Sequence, residues 1–518
     1  MKKVILIASP NDFAGNVNVS QIATLIAPPM GILAVGSFLA AHGVPVELVD
    51  VQMDFGFGLT RAAERLVSQR VAQYLRAQAD DIAWIGISEL SNSGGGIALA
   101  QEIHTVLPDI PIVFGGYFPS STYRLLLEAY PFIAAIVRGD GEATALQISQ
   151  CLSQGRSFLS AQMPNLAWRD GDEIHSTPIR PVAVDDLPIM DFWLLRHPDC
   201  YQIIDLMTSR GCPFRCNYCL ESAMRPYVAY SPEWVDRQLT HLQAVVPNER
   251  LYIYDPVFGV NQEQTLKLCR ILGEHRFNYG VESRVDVLSP DLIAPLRQAG
   301  MEMIFWGIES ANVATLLRMN KVSSAARARR YVKDAVKVLE TCFENDVTPC
   351  MGIMLGFPGD SEADYQTTLE FVEGIRQFYE RITAQTGVET GYGLYAFYTK
   401  VYTGSPLEKR IETDFPEIVL RSEPFIGEKT VISPSPEVDL DTTRRYQVKM
   451  ARQGLYTPLA LERTGNYHVF SLKTFLDAHP ELMDDEGVIT FGDSLRRFSP
   501  GFDPDAMLMR SDKVKESD

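Results

Sequence analysis

The chain has 518 residues, 46% of them apolar, and a formal net charge of −18; that length calls for about three folded units, each with enough apolar material for its own core. The acidic balance excludes generic binding to a phosphate backbone, which concentrates Lys and Arg, so no nucleic-acid partner is expected and small molecules or peptides are the substrates to look for. The most apolar runs, such as Gly31 to Ala41, are too short to span a membrane, and Val4 to Ala8 is too short for a signal-peptide core and ends in Pro10-Asn11-Asp12.

The first 152 residues alternate buried strands with helical stretches. Val4 to Ala8 reads as a strand, Met30 to His42 as a helix, Pro45 to Val51 as a strand and Leu59 to Ala79 as a helix, with further strands at Ile82 to Ser88 and Ile112 to Gly116. This is the α/β pattern of a doubly wound, Rossmann-like parallel sheet. Ligands of such sheets sit at the carboxyl ends of the strands. The glycine-rich turns there are Ser91-Asn92-Ser93-Gly94-Gly95-Gly96, Gly115-Gly116 and Gly139-Asp140-Gly141-Glu142. Each of them is also explained by a tight strand-to-helix turn alone.

Residues 153–195 read as a linker with a polar hairpin that turns at Arg169-Asp170-Gly171-Asp172. From 196 to 424 the chain alternates six more times. The strands are Tyr201 to Thr208, Leu251 to Tyr254, Tyr279 to Arg284, Met303 to Ile308, Thr348 to Leu355 and Gly391 to Thr399. Helices fall at Pro232 to Val246, Gln262 to Glu274, Pro290 to Ala299, Ala325 to Glu344 and Glu362 to Thr383. Six repeats make a partial barrel rather than the complete eight. Residues 425–518 carry no functional signal beyond that of a cap or partner surface.

Eight cysteines are too sparse for a disulfide framework, and three of them, Cys212, Cys216 and Cys219, fall within eight residues after the first barrel strand. That clustering points to a metal or cluster held in a reducing compartment, the cytoplasm. Three thiolates leave one iron of a four-iron cluster open to another ligand. Zinc is the competing occupant, but it usually takes four protein ligands and no fourth Cys or His lies nearby in sequence.

Cys212-Pro213-Phe214-Arg215-Cys216-Asn217-Tyr218-Cys219 at the opening of a six-repeat barrel resembles the radical S-adenosylmethionine (SAM) superfamily. The resemblance implies a [4Fe–4S] cluster on the three cysteines, SAM chelated to its open iron, and one-electron cleavage to a 5′-deoxyadenosyl radical, with an external donor such as flavodoxin or ferredoxin. It implies a packing contact from Tyr218 near the adenine, and amino-group binding near Asp255, although the usual Gly-Gly-Glu is missing. Ser283 and Arg284 take the places of ribose and carboxylate contacts. The strand Gly352-Ile353-Met354-Leu355-Gly356 takes that of the adenine contact, with Met354 at the usual isoleucine position. For Arg284 the alternative is a surface ion pair. Glu309, ending Trp306-Gly307-Ile308-Glu309, either orients cofactor or substrate or caps the next helix.

The front domain resembles the cobalamin-binding domain that precedes the barrel in one branch of the superfamily. The likeness runs from Pro28-Pro29-Met30-Gly31 through Gly115-Gly116 and Arg138-Gly139-Asp140-Gly141-Glu142, and on to Gly404-Ser405-Pro406-Leu407. It implies cobalamin as a second cofactor. An Asp-x-His-x-x-Gly stretch is lacking, and His42 stands at a polar helix end, so cobalt is expected without histidine. The expected reaction is methylation of an unactivated carbon. Alternation along the fifth barrel strand places Cys350 on the face of Met354, where a thiol that donates a hydrogen atom would make the enzyme an epimerase; the alternative is a small apolar filler. Cys342 is a weaker donor, and Cys151, Cys200 and Cys269 read as structural. A cobalamin or redox sensor without turnover is the third reading.

Overall fold

Runs rich in Ile and Val without polar alternation build the parallel strands of two sheets, as expected of strands buried on both faces. The computed structural model describes every residue except 1, 11–26, 59, 90–93, 202, 247–249, 423–427, 456, 464–482, 485, 487 and 490–518. The Ser91-Asn92-Ser93 part of the first glycine turn, and most of the chain beyond 464, lie outside the described residues.

The front sheet uses β1 (Lys3–Ala8), β2 (Val46–Asp50), β4 (Ile82–Ser88), β5 (Ile112–Gly115), β6 (Ile133–Val137), β7 (Leu166–Asp170) and β8 (Glu173–Ser176); the two-residue β3 (Phe57–Gly58) lies apart. The order is β2-β1-β4-β5-β6-β7-β8. β1, β2, β4, β5 and β6 pair in parallel, whereas β7 runs antiparallel to β6 and β8 antiparallel to β7. The hairpin expected in the linker therefore belongs to the front sheet. It covers what would otherwise be the open edge of β6, and Gly171, with φ +58°, makes its turn.

The barrel sheet has the order β16-β15-β14-β13-β12-β9, all parallel, from β9 (Ile204–Leu206), β12 (Arg250–Ile253), β13 (Asn278–Ser283), β14 (Met301–Glu309), β15 (Thr348–Leu355) and β16 (Gly393–Tyr398). Between β9 and β12 a short ribbon pairs β10 (Ser209–Arg210) with β11 (Val228–Ala229). The first barrel strand ends before Thr208 because the Thr208 and Ser209 amides donate to Asp255 Oδ1, at 2.7 and 2.9 Å, instead of to a neighbouring strand.

One apolar core runs through both units, from Val4, Leu33 and Trp84 to Ile204, Leu239 and Met303. Polar contacts add registry: Tyr201 Oη donates to Asp50 at 2.8 Å and the Asp191 amide to Ser37 Oγ at 2.8 Å. The C-terminal region is not a separate unit. Its strand β19 (Glu428–Ser433) joins β17 (Lys400–Tyr402) and β18 (Val419–Ser422) of the preceding segment in a small antiparallel sheet, the helix Leu440–Ala451 packs on β16, and β20 (Val488–Ile489) pairs with β3 of the front domain.

Candidate active site at the barrel mouth

The loop that carries the three cysteines starts at Gly211, where φ is +72° and a Cβ would stand 2.1 Å from Pro226 O, so no other residue fits without moving the chain. The turn after the helix Val313–Arg318 fastens the loop. Asn217 N donates to Met319 O at 2.9 Å, Asn217 Nδ2 to Arg318 O at 2.8 Å and Asn320 Nδ2 to Arg215 O at 2.6 Å. Cys216 is buried, and Cys212 and Cys219 are half-buried. Burial pushes the Cys219 thiol up to about 12 and raises Cys212 too. Positive charge and amide donors are what favour thiolates in such a place. Both are present: Arg284 Nη1 donates to Cys216 Sγ at 3.4 Å and the Glu221 amide to Cys219 Sγ at 3.4 Å.

Arg284, at the end of β13, is buried rather than part of a surface pair. Its guanidinium lies 3.8 Å from the centre of the Phe214 ring, donates to Lys321 O at 2.8 Å and pairs with Asp286 at 3.0 Å. Ser283 beside it donates to Phe258 O at 2.7 Å. Both oxygens of Asp255 are engaged, with the amides above and with Thr208 Oγ1 at 2.5 Å, and burial pushes this carboxyl up to about 6. Asp255 thus shapes the entry to the cysteine loop.

Glu309 sits at φ +65°, which is unusual for any residue but glycine and at a functional site is a reason to look further. It accepts from Tyr218 Oη at 3.1 Å and pairs with Lys321 Nζ at 3.0 Å. A Cβ on Gly307 would stand 2.9 Å from Glu309 Oε1, so the glycine makes room for this pair. Capping of the next helix falls to Asn312, whose side chain accepts from Ala314 N at 2.8 Å and Thr315 N at 3.1 Å. Burial works against the Lys321 ammonium, yet Glu309 and Tyr331 beside it hold it above the ordinary lysine range.

Along β15, Met354 and Tyr218 pack against one apolar cluster around Phe357 and Val401. Gly356, where the strand ends, has φ +77°. Gly352 leaves room for the Phe305 ring, 2.9 Å from where its Cβ would be, and Gly393 does the same for Tyr395 at 2.9 Å. Cys350 lies in register with Phe305 and Gly393. It faces the interior as alternation requires, but it is wholly buried, and burial drives its thiol far up.

Several interior groups had no clear signal in the sequence. Asp205 and Tyr252 share a row, and Tyr252 Oη donates to Glu282 at 2.8 Å. Burial, then the neighbouring Glu309 and Asp255, pushes Glu282 up to about 7; burial, then Glu282, pushes Asp205 up to about 8. At the ends of β12 and β16, Tyr254 and Phe397 are each 51% exposed, which makes them the open aromatic faces of the mouth. A charge inside the apolar run Ile203-Ile204-Asp205-Leu206 was the one available hint. Lys321 offered none, since Met319-Asn320-Lys321 reads as a solvated turn.

At the front domain, the carboxyl ends of β4 and β5 carry only small residues, Ser88 and Gly115, and a Cβ at Gly115 would meet nothing nearer than Val137 O at 3.8 Å. Such a low edge fits a flat macrocycle. Gly95 and Gly116 serve the chain's own packing instead, since their Cβ atoms would come within 2.2 Å of Pro10 O and 2.3 Å of Glu89 O. His42 Nδ1 lies 2.8 Å from Phe38 O at an exposed helix end, as expected of a terminus residue.

The Radical SAM superfamily matches residues 206–372, which include the cysteine loop, and the B12 binding domain family matches residues 20–149. The chain is a radical SAM enzyme with a B12-binding domain. An uncharacterized methyltransferase of Pyrococcus horikoshii is 23% identical to this radical SAM enzyme over 395 residues, 74% of this chain and 80% of that one. The anaerobic magnesium-protoporphyrin IX monomethyl ester cyclase of Synechocystis is 25% identical over 344 residues, 64% of this chain and 66% of the cyclase. Among solved structures, the radical SAM methyltransferase TsrM of Kitasatospora setae, with cobalamin and a [4Fe–4S] cluster bound, superposes with a TM-score of 0.67 at 13% identity, covering 100% of both chains. OxsB, a cobalamin-dependent radical enzyme with aqua-cobalamin and SAM bound, gives 0.66 at 16% identity, covering 99% of this chain and 80% of its own. These likenesses establish the two-domain fold.

Proposed function

We propose that this enzyme methylates an unactivated carbon of a small molecule or peptide, using SAM, a [4Fe–4S] cluster held by Cys212, Cys216 and Cys219, and cobalamin on the front domain. The observation that carries the reading is the meeting of two edges: Tyr117, directly after Gly116, donates to the carboxylate of Glu221, two residues beyond Cys219. A methyl donor and a radical source must share one mouth, and this contact puts their two domains at one.

When bound, the cluster and SAM supply a hydrogen-abstracting radical and cobalamin supplies the methyl group. The chain supplies positions. Arg284 and the Glu221 amide favour the thiolates, while Glu309 and Tyr218, held by Lys321, present an acceptor and a hydroxyl toward the place of SAM. Tyr254 and Phe397 offer the apolar walls that keep water from a carbon radical. The electron comes from an external flavodoxin- or ferredoxin-type donor in the cytoplasm. No helix among the described residues is long and apolar enough to cross a membrane. Epimerisation through Cys350 has less support, because the thiol is wholly buried in the row that Phe305 and Tyr395 cross.

The test incubates reconstituted enzyme and candidate substrates in deuterated water with methyl-labelled SAM. Labelled methyl in the product is expected, undiminished in Cys350→Ala. Solvent deuterium gained without methyl, and lost in that variant, would overturn the order of the two readings.

A further inference from the structure

A chain of buried charges joins the cysteine loop to the front domain. Glu221 gives its amide to Cys219 Sγ, and its carboxylate accepts from Tyr117 Oη and, at 3.0 Å, from Arg225 Nε. Arg225 also donates to Tyr117 Oη at 2.5 Å and pairs with Asp140 of the front domain at 3.0 Å. Asp140 in turn pairs with Arg210 at 3.1 Å, and Arg210 with Glu142 at 2.7 Å and with Tyr230 Oη at 2.8 Å. None of the five charged side chains is more than 18% exposed. Two arginines face three carboxylates, so the group carries one net negative charge within reach of the cysteine loop.

Such a network is a poor device for stability alone. Well-packed apolar residues in place of buried ion pairs are often as stabilising or more so. Its geometry does something apolar residues cannot, because it sets the charge felt at Cys219 from another domain. We propose that Tyr117 and Glu221 are positioning residues through which the front domain tunes the reduction potential of the cluster. Adding an electron beside a carboxylate is unfavourable to the degree that the carboxylate is not neutralised. The Tyr117 hydroxyl and Arg225 neutralise Glu221, and thereby keep the cluster reducible. The inference rests on the proposed cluster ligation.

Opposite signs make the test. The reconstituted full-length protein, its Tyr117→Phe variant and its Glu221→Gln variant are compared by potentiometry followed by electron paramagnetic resonance of the reduced cluster. Tyr117→Phe strips one donor from the carboxylate and should lower the potential. Glu221→Gln removes the charge and should raise it, with the amide to Cys219 still in place. Tyr123→Phe, on the same helix with its ring beneath Arg138, is the control and should leave the potential unchanged. Shifts in the same direction, no shift, or loss of the cluster in Glu221→Gln from a protein that remains folded would overturn the proposal, since a merely structural network predicts no such pair of signs. A wild-type protein that assembles no cluster would overturn the functional reading, and this inference with it.

Discussion

Asp205→Asn should stabilise the protein, and increasingly so as pH rises. The carboxyl stands on the inner face of β9 with nothing acting to lower it: burial and Glu282 both push it up, to about 8. The unfolded group titrates near 3.9. At pH below about 4 both states are protonated and the group contributes nothing; between about 4 and 8 the unfolded state ionises while the folded state does not, and stability falls; above about 8 the loss is complete. At about 1.36 kcal/mol per pH unit the fully buried limit is ~6 kcal/mol. Asp205 keeps partial access to water in the barrel, so ~2 kcal/mol is the working expectation. Asn cannot ionise and escapes this loss. Thermal unfolding of wild type and variant from pH 4 to 8.5 should show a Tm difference of about 1–2 °C at pH 4 that grows to ~4–8 °C by pH 8.5, at about 2–4 °C per kcal/mol for a domain of this size. A difference independent of pH, or a variant less stable at pH 8.5, would refute the placement of a protonated carboxyl inside the barrel.

Lys321→Met leaves Glu309 without its buried counter-ion and should cost ~3–5 kcal/mol of stability together with most of the SAM affinity; calorimetry and equilibrium dialysis check both, and an unchanged Tm would refute the pairing. Protein expressed with cobalamin supplied should copurify with it in a form without imidazole on cobalt, read by electron paramagnetic resonance. In Gly115→Leu, whose new Cβ meets nothing nearer than Val137 O at 3.8 Å, the retained cobalamin should drop several-fold; wild-type occupancy in that variant would refute the fit.

Local pattern carried the regular elements. Ile82–Ser88 and Thr348–Leu355 are strands from end to end as read, and Ala325–Glu344 is a helix whose Ser324 side chain accepts from Arg327 N. Pairing at long range was not legible. Nothing within Leu166 to Ser176 announces that its partner is β6, so by sequence the hairpin reads as part of the linker. Thr208 has the residue type of a strand but not its hydrogen bonds, because a carboxylate 47 residues later captures its amide. The three cysteines were visible because their chemistry lies in spacing. Lys321 was not, because what makes it part of the site is burial by residues from other segments. Alternation alone assigns Cys350 a face, while the rings beside it come from the neighbouring strands β14 and β16.

The pairing of β20 with β3 changes what the two domains are able to do. The polypeptide leaves the front domain after β8, builds the barrel, and returns at Val488, wholly buried in the front core, with Arg70 paired to Asp484 at 3.0 Å. The domains are thus strapped at two places rather than hung from a single tether. A wide clamshell opening would have to peel this short ribbon away. A chain shortened before 484 would lose the strap while keeping every cysteine and every barrel strand.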